Sequence, residues 1–377
     1  MVCRALTLSR AADGTCLSLS SLRAYEFLRT NGTTYPSSPV VCRRRRERPI
    51  AMASHGDGGS SLVCVTGGSG FVGSWLVRLL LGRGYTVHAT VKNLQDESET
   101  KHLQTLDGAD SRLRLFQMDL LEPASMRPAV EGARGVFHVA SPVILHPTQD
   151  PENELVEPAL KGTLSVLRAA KDCGVGRVVM VSSQTAVVPN PAWPADKVVD
   201  EDSWADIEQL KKLQLWYNVS KTLAEKAAWD FAKNEGLELV VLNPALVLGP
   251  TLTPSITASL QLFLQIMEGK RYDMDEFFIG CVDVRDVAQS LIVLYENPSA
   301  EGRHLCLESS QRMIDFTDKL AHLYPEFSVY RIQEDKQDWV VRAKDPSKKL
   351  INLGVRFTPL DKTIADTMDC FRSKGLV

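Results

Sequence analysis

From residue 62 onward, short runs rich in β-branched and apolar residues alternate with longer stretches whose apolar positions recur every three or four residues. Leu62-Val63-Cys64-Val65-Thr66 predicts a first strand. Val72, Trp75, Leu76, Leu79 and Leu80 then share one face of a helix that Gly82 and Gly84 bring to an end. Further strands are predicted over 86–91, 113–117, 136–140, 177–182 and 238–242, and long helices over 154–173 and 216–234. Parallel strands need long crossovers, and helices placed in them cover both faces of the sheet. The pattern therefore predicts an α/β chain with a Rossmann-type, doubly wound parallel sheet. After the sixth strand the alternation becomes irregular, and stretches such as 251–272 and 316–332 predict a smaller C-terminal lobe. No internal repeat interrupts this body.

Composition changes the picture mainly at the N-terminus. An apolar fraction of 44% supports a large core, and 43 basic against 46 acidic residues leave no field for holding a polyanion, so no nucleic-acid partner is expected. No apolar run approaches the ~20 residues of a membrane helix. The eight cysteines (Cys3, Cys16, Cys42, Cys64, Cys173, Cys281, Cys306 and Cys370) form no CxxC pair and have no histidine at metal spacing, so neither a disulfide framework nor a metal is expected. Residues 1–51 differ, with nine arginines, no lysine and three acids, a net charge of +6. Such a leader reads as a disordered or untranslated extension ahead of Met52-Ala53-Ser54, as an organelle transit peptide, or, at Arg43–Arg46, as a nuclear or nucleic-acid patch. The expected organisation is an extension over 1–58, a nucleotide-binding domain with the reaction centre over 59–250, and a mainly substrate-binding lobe over 251–377 interleaved with the core. The expected compartment is the cytoplasm, or a plastid or other organelle if the leader is a transit peptide.

The turn after the first strand reads Thr66-Gly67-Gly68-Ser69-Gly70-Phe71-Val72-Gly73. Glycines at this spacing between a strand and a helix suit a dinucleotide: Gly67 for the tight turn, Gly70 for approach of the pyrophosphate, and Gly73 for close helix packing, with free N–H groups at the helix start. A site selective for NAD carries an acid at the end of the second strand. No residue from Val87 to Gln95 is acidic, and Lys92 stands there instead, suited to a 2′-phosphate, so NADP(H) is expected. Asp119 and Leu120, after the third strand, are placed for the adenine edge; a turn acid of this kind also serves as a local cap.

Tyr217-Asn218-Val219-Ser220-Lys221 places a phenol and an ammonium one helical turn apart. A nearby positive charge is expected to lower the Tyr217 pKa, so that the phenol delivers a proton to a carbonyl oxygen as hydride reaches the carbon. Val181-Ser182-Ser183 ends the fifth strand, where an open α/β sheet binds its ligand, and alternation along the strand favours Ser183 over Ser182 as the hydroxyl facing that ligand. The predicted reaction centre is therefore Ser183, Tyr217 and Lys221.

In that order, Thr66 to Gly73, Asp119-Leu120, Val139-Ala140-Ser141-Pro142, Ser183, and Tyr217 with Lys221 resemble an extended short-chain dehydrogenase/reductase over residues 62–377. Asp150-Pro151-Glu152-Asn153-Glu154, Trp216-Tyr217, Lys221-Thr222-Leu223-Ala224-Glu225, Asn243-Pro244, Gly249-Pro250 and Val284-Arg285-Asp286-Val287-Ala288 resemble its plant dihydroflavonol 4-reductase and cinnamoyl-CoA reductase group. The resemblance implies NADPH-dependent reduction of a carbonyl on an aromatic, phenylpropanoid-like small molecule by a monomer or homodimer. It also implies contact of Lys221 with the nicotinamide ribose and a cofactor lined by Val139, Ala140, Pro244, Val247 and Ser259. Three departures narrow the substrate. Val188 replaces the asparagine with which dihydroflavonol reductases grip a flavonoid. Trp216-Tyr217-Asn218-Val219-Ser220-Lys221 differs from the Trp-Tyr-Cys-Tyr-Gly-Lys run of cinnamoyl-CoA reductases. Leu262 and Gln265 stand where that family places a His and a Lys against the CoA phosphate, and neither pairs with an anion. A free aldehyde or ketone thus competes with a CoA thioester. Two other readings are an epimerase or dehydratase that recycles a tightly held cofactor, and a non-catalytic NADP sensor, whose mark would be a missing Tyr or Lys.

Overall fold

A computed structural model describes residues 61–142, 149–190, 192–194, 197–270, 278–332 and 346–377. The expected N-terminal leader lies outside the described residues, as do Cys3, Cys16 and Cys42.

Seven parallel strands form the main sheet: β1 (Leu62–Thr66), β2 (Thr86–Val91), β3 (Leu113–Gln117), β4 (Gly135–His138), β5 (Arg177–Val181), β6 (Leu239–Pro244) and, after two further strands in sequence, β9 (Gly302–Cys306). Their order is β3-β2-β1-β4-β5-β6-β9, so the chain reverses direction between β1 and β4. The crevice for a ligand opens at the carboxyl ends of those two strands. Successive residues of each strand face opposite sides. Val65, Phe137, Val179 and Val240 enter one core with helices α1 (Phe71–Gly82) and α5 (Val284–Glu296). Cys64, Val136, Val178 and Val241 enter the other with α2 (Glu157–Asp172) and α3 (Trp216–Glu235). Burying each such Val or Phe contributes about 1.5–3 kcal/mol, which makes the alternation in sequence decisive for register.

Six of these strands follow the expected pattern, three of them residue for residue and three with ends displaced by one or two residues. Residues 139 and 140, expected in β4, have left the ladder: their N–H groups both donate to Thr66 Oγ1, at 3.1 Å each. The helix expected from 154 begins with a π-helical turn over Glu152–Val156 and settles into regular geometry only at Glu157, with Pro158 in its first turn. The seventh strand was not expected, because Gly302-Arg303-His304-Leu305-Cys306 carries two polar side chains and no β-branched residue.

A second sheet, ordered β10-β8-β7, joins β7 (Leu246–Leu248), β8 (Phe278–Asp283) and β10 (Ser309–Arg312). Helices α4 (Ala258–Met267), α6 (Met313–Leu323) and α7 (Leu360–Ser373) complete this side. Asp283 fastens it: its carboxylate caps α5 by accepting the Arg285 N–H at 2.8 Å and accepts the Thr363 hydroxyl of α7 at 3.1 Å. Arg285 bridges Asp283 and Asp366, so the sheet, α5 and α7 are locked at one point. No described helix is long and apolar enough to cross a membrane. The five described cysteines are free, and no His, Cys, Asp or Glu cluster able to hold a metal occurs among the described residues.

Candidate active site

A cleft of about 1480 Å³ runs along the carboxyl ends of β1, β2, β4 and β5. The Gly-rich turn forms its floor. Gly67 has φ +68°, and a Cβ there would come within 2.9 Å of Ala140 Cα, so this turn accepts only glycine. A Cβ on Gly73 would lie 2.1 Å from Gly67 O, so α1 sits against the turn through bare backbone. Gly70 is the extended N-cap of α1, with no side chain capping the helix and no acid in its first turn. The helix start therefore presents uncapped N–H groups to the cleft, an arrangement suited to a pyrophosphate.

Thr66, fully buried, brackets this turn from below. Its hydroxyl accepts from the Val139 and Ala140 N–H groups, which leaves its own proton for His138 Nδ1 at 2.9 Å. His138 thus carries its proton on Nε2, facing Thr163 Oγ1 at 3.3 Å. Burial, and secondarily the charge of Lys221, push its pKa down to about 3, so the ring stays neutral. Thr90 ties the same turn to β2 by accepting from Gly67 N–H at 3.0 Å.

Of the other cofactor candidates, Gly67, Ser69, Gly70, Phe71, Val72, Gly73, Lys92, Asp119, Leu120, Val139, Ala140, Ser141, Pro244, Val247 and Ser259 all line this cleft. Asp119 also serves locally: one carboxylate oxygen accepts the Leu121 N–H at 2.9 Å. At Lys92 the picture differs from the acid-free strand end expected from sequence. Glu99, from a short helix over Glu97–Gln104, folds back so that Oε2 accepts the Lys92 N–H at 2.6 Å. An acid thus reaches the end of β2 from seven residues further along the chain.

The predicted reaction centre is built by β5 and α3. Ser182 turns its hydroxyl inward to Glu225 Oε2, at 2.5 Å, whereas the Ser183 hydroxyl accepts from Thr185 N–H at 3.1 Å and lines the cleft together with Tyr217. One helical turn from Tyr217, Lys221 is buried, and its Nζ donates to Val181 O at 3.1 Å. The expected lowering of the phenol is not what the structure gives. Burial raises the Tyr217 pKa, and the neighbouring Ser183 hydroxyl only partly opposes it. The reason is geometric, since the Lys221 ammonium is directed at the strand-end carbonyl. Burial pushes Lys221 down to about 8, and the charge of Glu225 holds it up against that burial.

Behind these groups lies a polar layer to which sequence assigned no role. Glu225, 0% exposed, accepts from Ser182, from Asn243 Nδ2 at 2.8 Å, from Trp229 Nε1 at 3.3 Å and from Arg303 Nε at 2.5 Å. Asn243 also donates to Ser183 O at 3.2 Å. Arg303 reaches Glu201 O and Ser203 O and stacks 3.8 Å from the centre of the Trp204 ring. The spacing of Glu225 four residues after Lys221 was the one available signal; Arg303, 78 residues away, had none.

Toward the C-terminal side the cleft continues past Tyr217 to Thr257, Leu262, Ile279 and Met313. Leu262 lines it, while Gln265, one turn along α4, is exposed. Val188 packs in a small apolar cluster with Val187 and Val199.

A parallel sheet reversing at a glycine-floored crevice, with a phenol, an ammonium and a hydroxyl at its rim, defines a dinucleotide-dependent enzyme of the short-chain dehydrogenase/reductase class. A family model described as NAD dependent epimerase/dehydratase family matches residues 63–305, and the chain belongs to that family, within its cinnamoyl-CoA reductase-like group. It is 44% identical over 317 residues to cinnamoyl-CoA reductase CAD2 of Medicago truncatula, covering 83% of this chain and 96% of that protein. Among solved structures it is similar to vestitone reductase from alfalfa (Medicago sativa), with TM-score 0.71, 30% identity, and coverage of 84% of this chain and 100% of that one. It is also similar to yeast methylglyoxal/isovaleraldehyde reductase Gre2 complexed with NADPH, with TM-score 0.71, 26% identity, and coverage of 84% and 100%.

Proposed function

We propose that this chain is an NADPH-dependent carbonyl reductase of the cinnamoyl-CoA reductase type, acting on an aromatic, phenylpropanoid-like aldehyde, ketone or CoA thioester. The observation that carries this reading is the convergence of Ser183, Tyr217 and Lys221 on one glycine-floored cleft, with Lys221 one helical turn from Tyr217. The uncapped start of α1 and the bare backbone of Gly67 and Gly73 fit a pyrophosphate, and Lys92, Asp119 and Leu120 lie toward the adenosine end. When bound, the nicotinamide supplies a hydride to the substrate carbon. Tyr217, kept protonated by burial, delivers the proton to the carbonyl oxygen, and the Ser183 hydroxyl holds that oxygen against the phenol. Lys221 anchors the end of β5 through Val181 O and brings the only charge among the three. With an aldehyde or ketone these transfers yield the alcohol. With a thioester the proton on the carbonyl oxygen then passes to sulfur as the C–S bond breaks, so that the thiol leaves and an aldehyde forms.

Neither Leu262 nor Gln265 carries a charge for a CoA phosphate, which supports a free carbonyl; the identity to a cinnamoyl-CoA reductase supports the thioester. NADPH oxidation by the full chain against feruloyl-CoA, the matching free aldehyde and a dihydroflavonol separates these substrates. Tyr217→Phe is expected to lower turnover of whichever is accepted by about 10²–10⁴-fold while nucleotide binding is kept. Full turnover in Tyr217→Phe removes Tyr217 as the acid. NADP that stays bound through purification points instead to an epimerase or dehydratase.

A further inference from the structure

At the adenosine end of the cleft three donors converge on one oxygen of Glu99: the Lys92 N–H at 2.6 Å, the Asn93 N–H at 3.4 Å and the Ser69 hydroxyl at 3.4 Å. They come from the two segments that floor this end of the cleft, the Gly-rich turn and the end of β2. Two successive backbone N–H groups and a hydroxyl turned toward one point form a cradle for an anionic oxygen. In this chain the cradle is filled by the chain's own carboxylate.

A simpler role for Glu99 would be that of a helix first-turn acid. Glu99 holds that position together with Glu97, but a first-turn acid needs no partner outside its helix, and the cap of the Glu97–Gln104 helix is supplied by Asp96, which accepts the Ser98 N–H at 2.8 Å. Glu99 instead bonds backward, across seven residues to Lys92 and thirty to Ser69. It is half-buried and lines the cleft.

We propose that Glu99 is a specificity-determining residue for the cofactor: its carboxylate occupies the anion cradle that a 2′-phosphate needs, and so weakens this chain's preference for NADPH over NADH. The proposal rests on the dinucleotide reading above. The 2′-phosphate is a second anion brought to the same three donors, so it must displace the carboxylate and then remain near it. In surroundings this open to water, repulsion of that kind amounts to roughly a tenfold change in affinity. A ribose 2′-hydroxyl meets no such repulsion, because a carboxylate at the end of the second strand is the acceptor such a hydroxyl uses. Lys92 and Glu99 together leave this subsite locally neutral, where a site built for the phosphate alone would be positive.

Two adenosine nucleotides test this without any catalysis: 2′,5′-ADP, which carries the 2′-phosphate, and ADP, which lacks it. Their dissociation constants are measured by calorimetry on the full chain, on Glu99→Gln and on Glu99→Ala. The glutamine variant keeps an acceptor for all three donors and removes only the charge, so the loop geometry is not at stake. Both variants are expected to bind 2′,5′-ADP about tenfold tighter than the wild type, with ADP unchanged or weaker. Wild-type binding of both nucleotides with 2′,5′-ADP unchanged or weakened in Glu99→Gln would overturn the proposal alone. Failure of the wild type to bind either nucleotide would overturn the dinucleotide reading, and this proposal with it.

Discussion

At the scale of single residues, burial and charge pull the two titratable groups of the reaction centre apart. Tyr217 is raised by burial and remains a phenol throughout the neutral range, which suits a proton donor. Lys221 is lowered by burial to about 8, with Glu225 holding it up, so its ammonium persists below that pH and is lost as pH rises through it. An alkaline fall in the reduction rate near pH 8 is therefore expected, and it belongs to Lys221 because Tyr217 titrates higher. Glu225→Gln removes the upward influence and should move that fall to lower pH. An unmoved or upward-moving limb in the pH–rate profile would contradict this assignment. The residues proposed to carry the chemistry could be named from sequence where the motif is local: Tyr217 and Lys221 lie one turn apart on α3, and strand alternation separates Ser182 from Ser183. Glu99 was not legible, because reading the end of β2 as a continuous stretch overlooks a side chain that returns from the next helix.

At the scale of elements, α1 and the turn before it form a unit whose tolerance is set by backbone contact. An alanine in an ordinary helix is more favourable than glycine by about 1 kcal/mol. At position 73 the sign reverses, because the added methyl would meet Gly67 O at 2.1 Å and the turn has no side chain to move aside. Gly73→Ala is expected to cost about 1–3 kcal/mol in denaturant unfolding and to abolish binding of NADPH, measured by fluorescence titration. The strands found from sequence were legible where buried apolar residues alternate between two cores, as in β1, β5 and β6, whereas β3, which has no buried residue, was legible from its half-buried Leu113, Leu115 and Phe116. β9 was not, since Arg303 and His304 read as surface residues until their partners are known. The small β7-β8-β10 sheet was illegible for another reason: β7 and β10 have only 3 and 4 residues, and the strands pair across intervening helices.

At the scale of the molecule, the reaction centre is braced from the far edge of the main sheet. β9 pairs with β6, and Arg303 carries the contact inward to Glu225, behind Ser182 and Lys221. Arg303 and Glu225 are both nearly inaccessible, so removing one leaves the other as a buried, uncompensated charge. Arg303→Met is expected to destabilise the chain by about 3–5 kcal/mol in chemical denaturation, and the double substitution with Glu225→Met to recover much of that loss. Equal stability of the single variant and the wild type would mean that the pair carries no structural weight. This bracing bears on the order in which the chain is made. A ribosome that has released 300 residues has already delivered Ser183, Tyr217 and Lys221, yet Arg303, which pairs with Glu225 from β9, is still in the exit tunnel. Until position 303 emerges, Glu225 has Lys221 near it but lacks the guanidinium that pairs with it, so a message cut short before β9 encodes the hydroxyl, phenol and ammonium of the proposed site without the brace behind them.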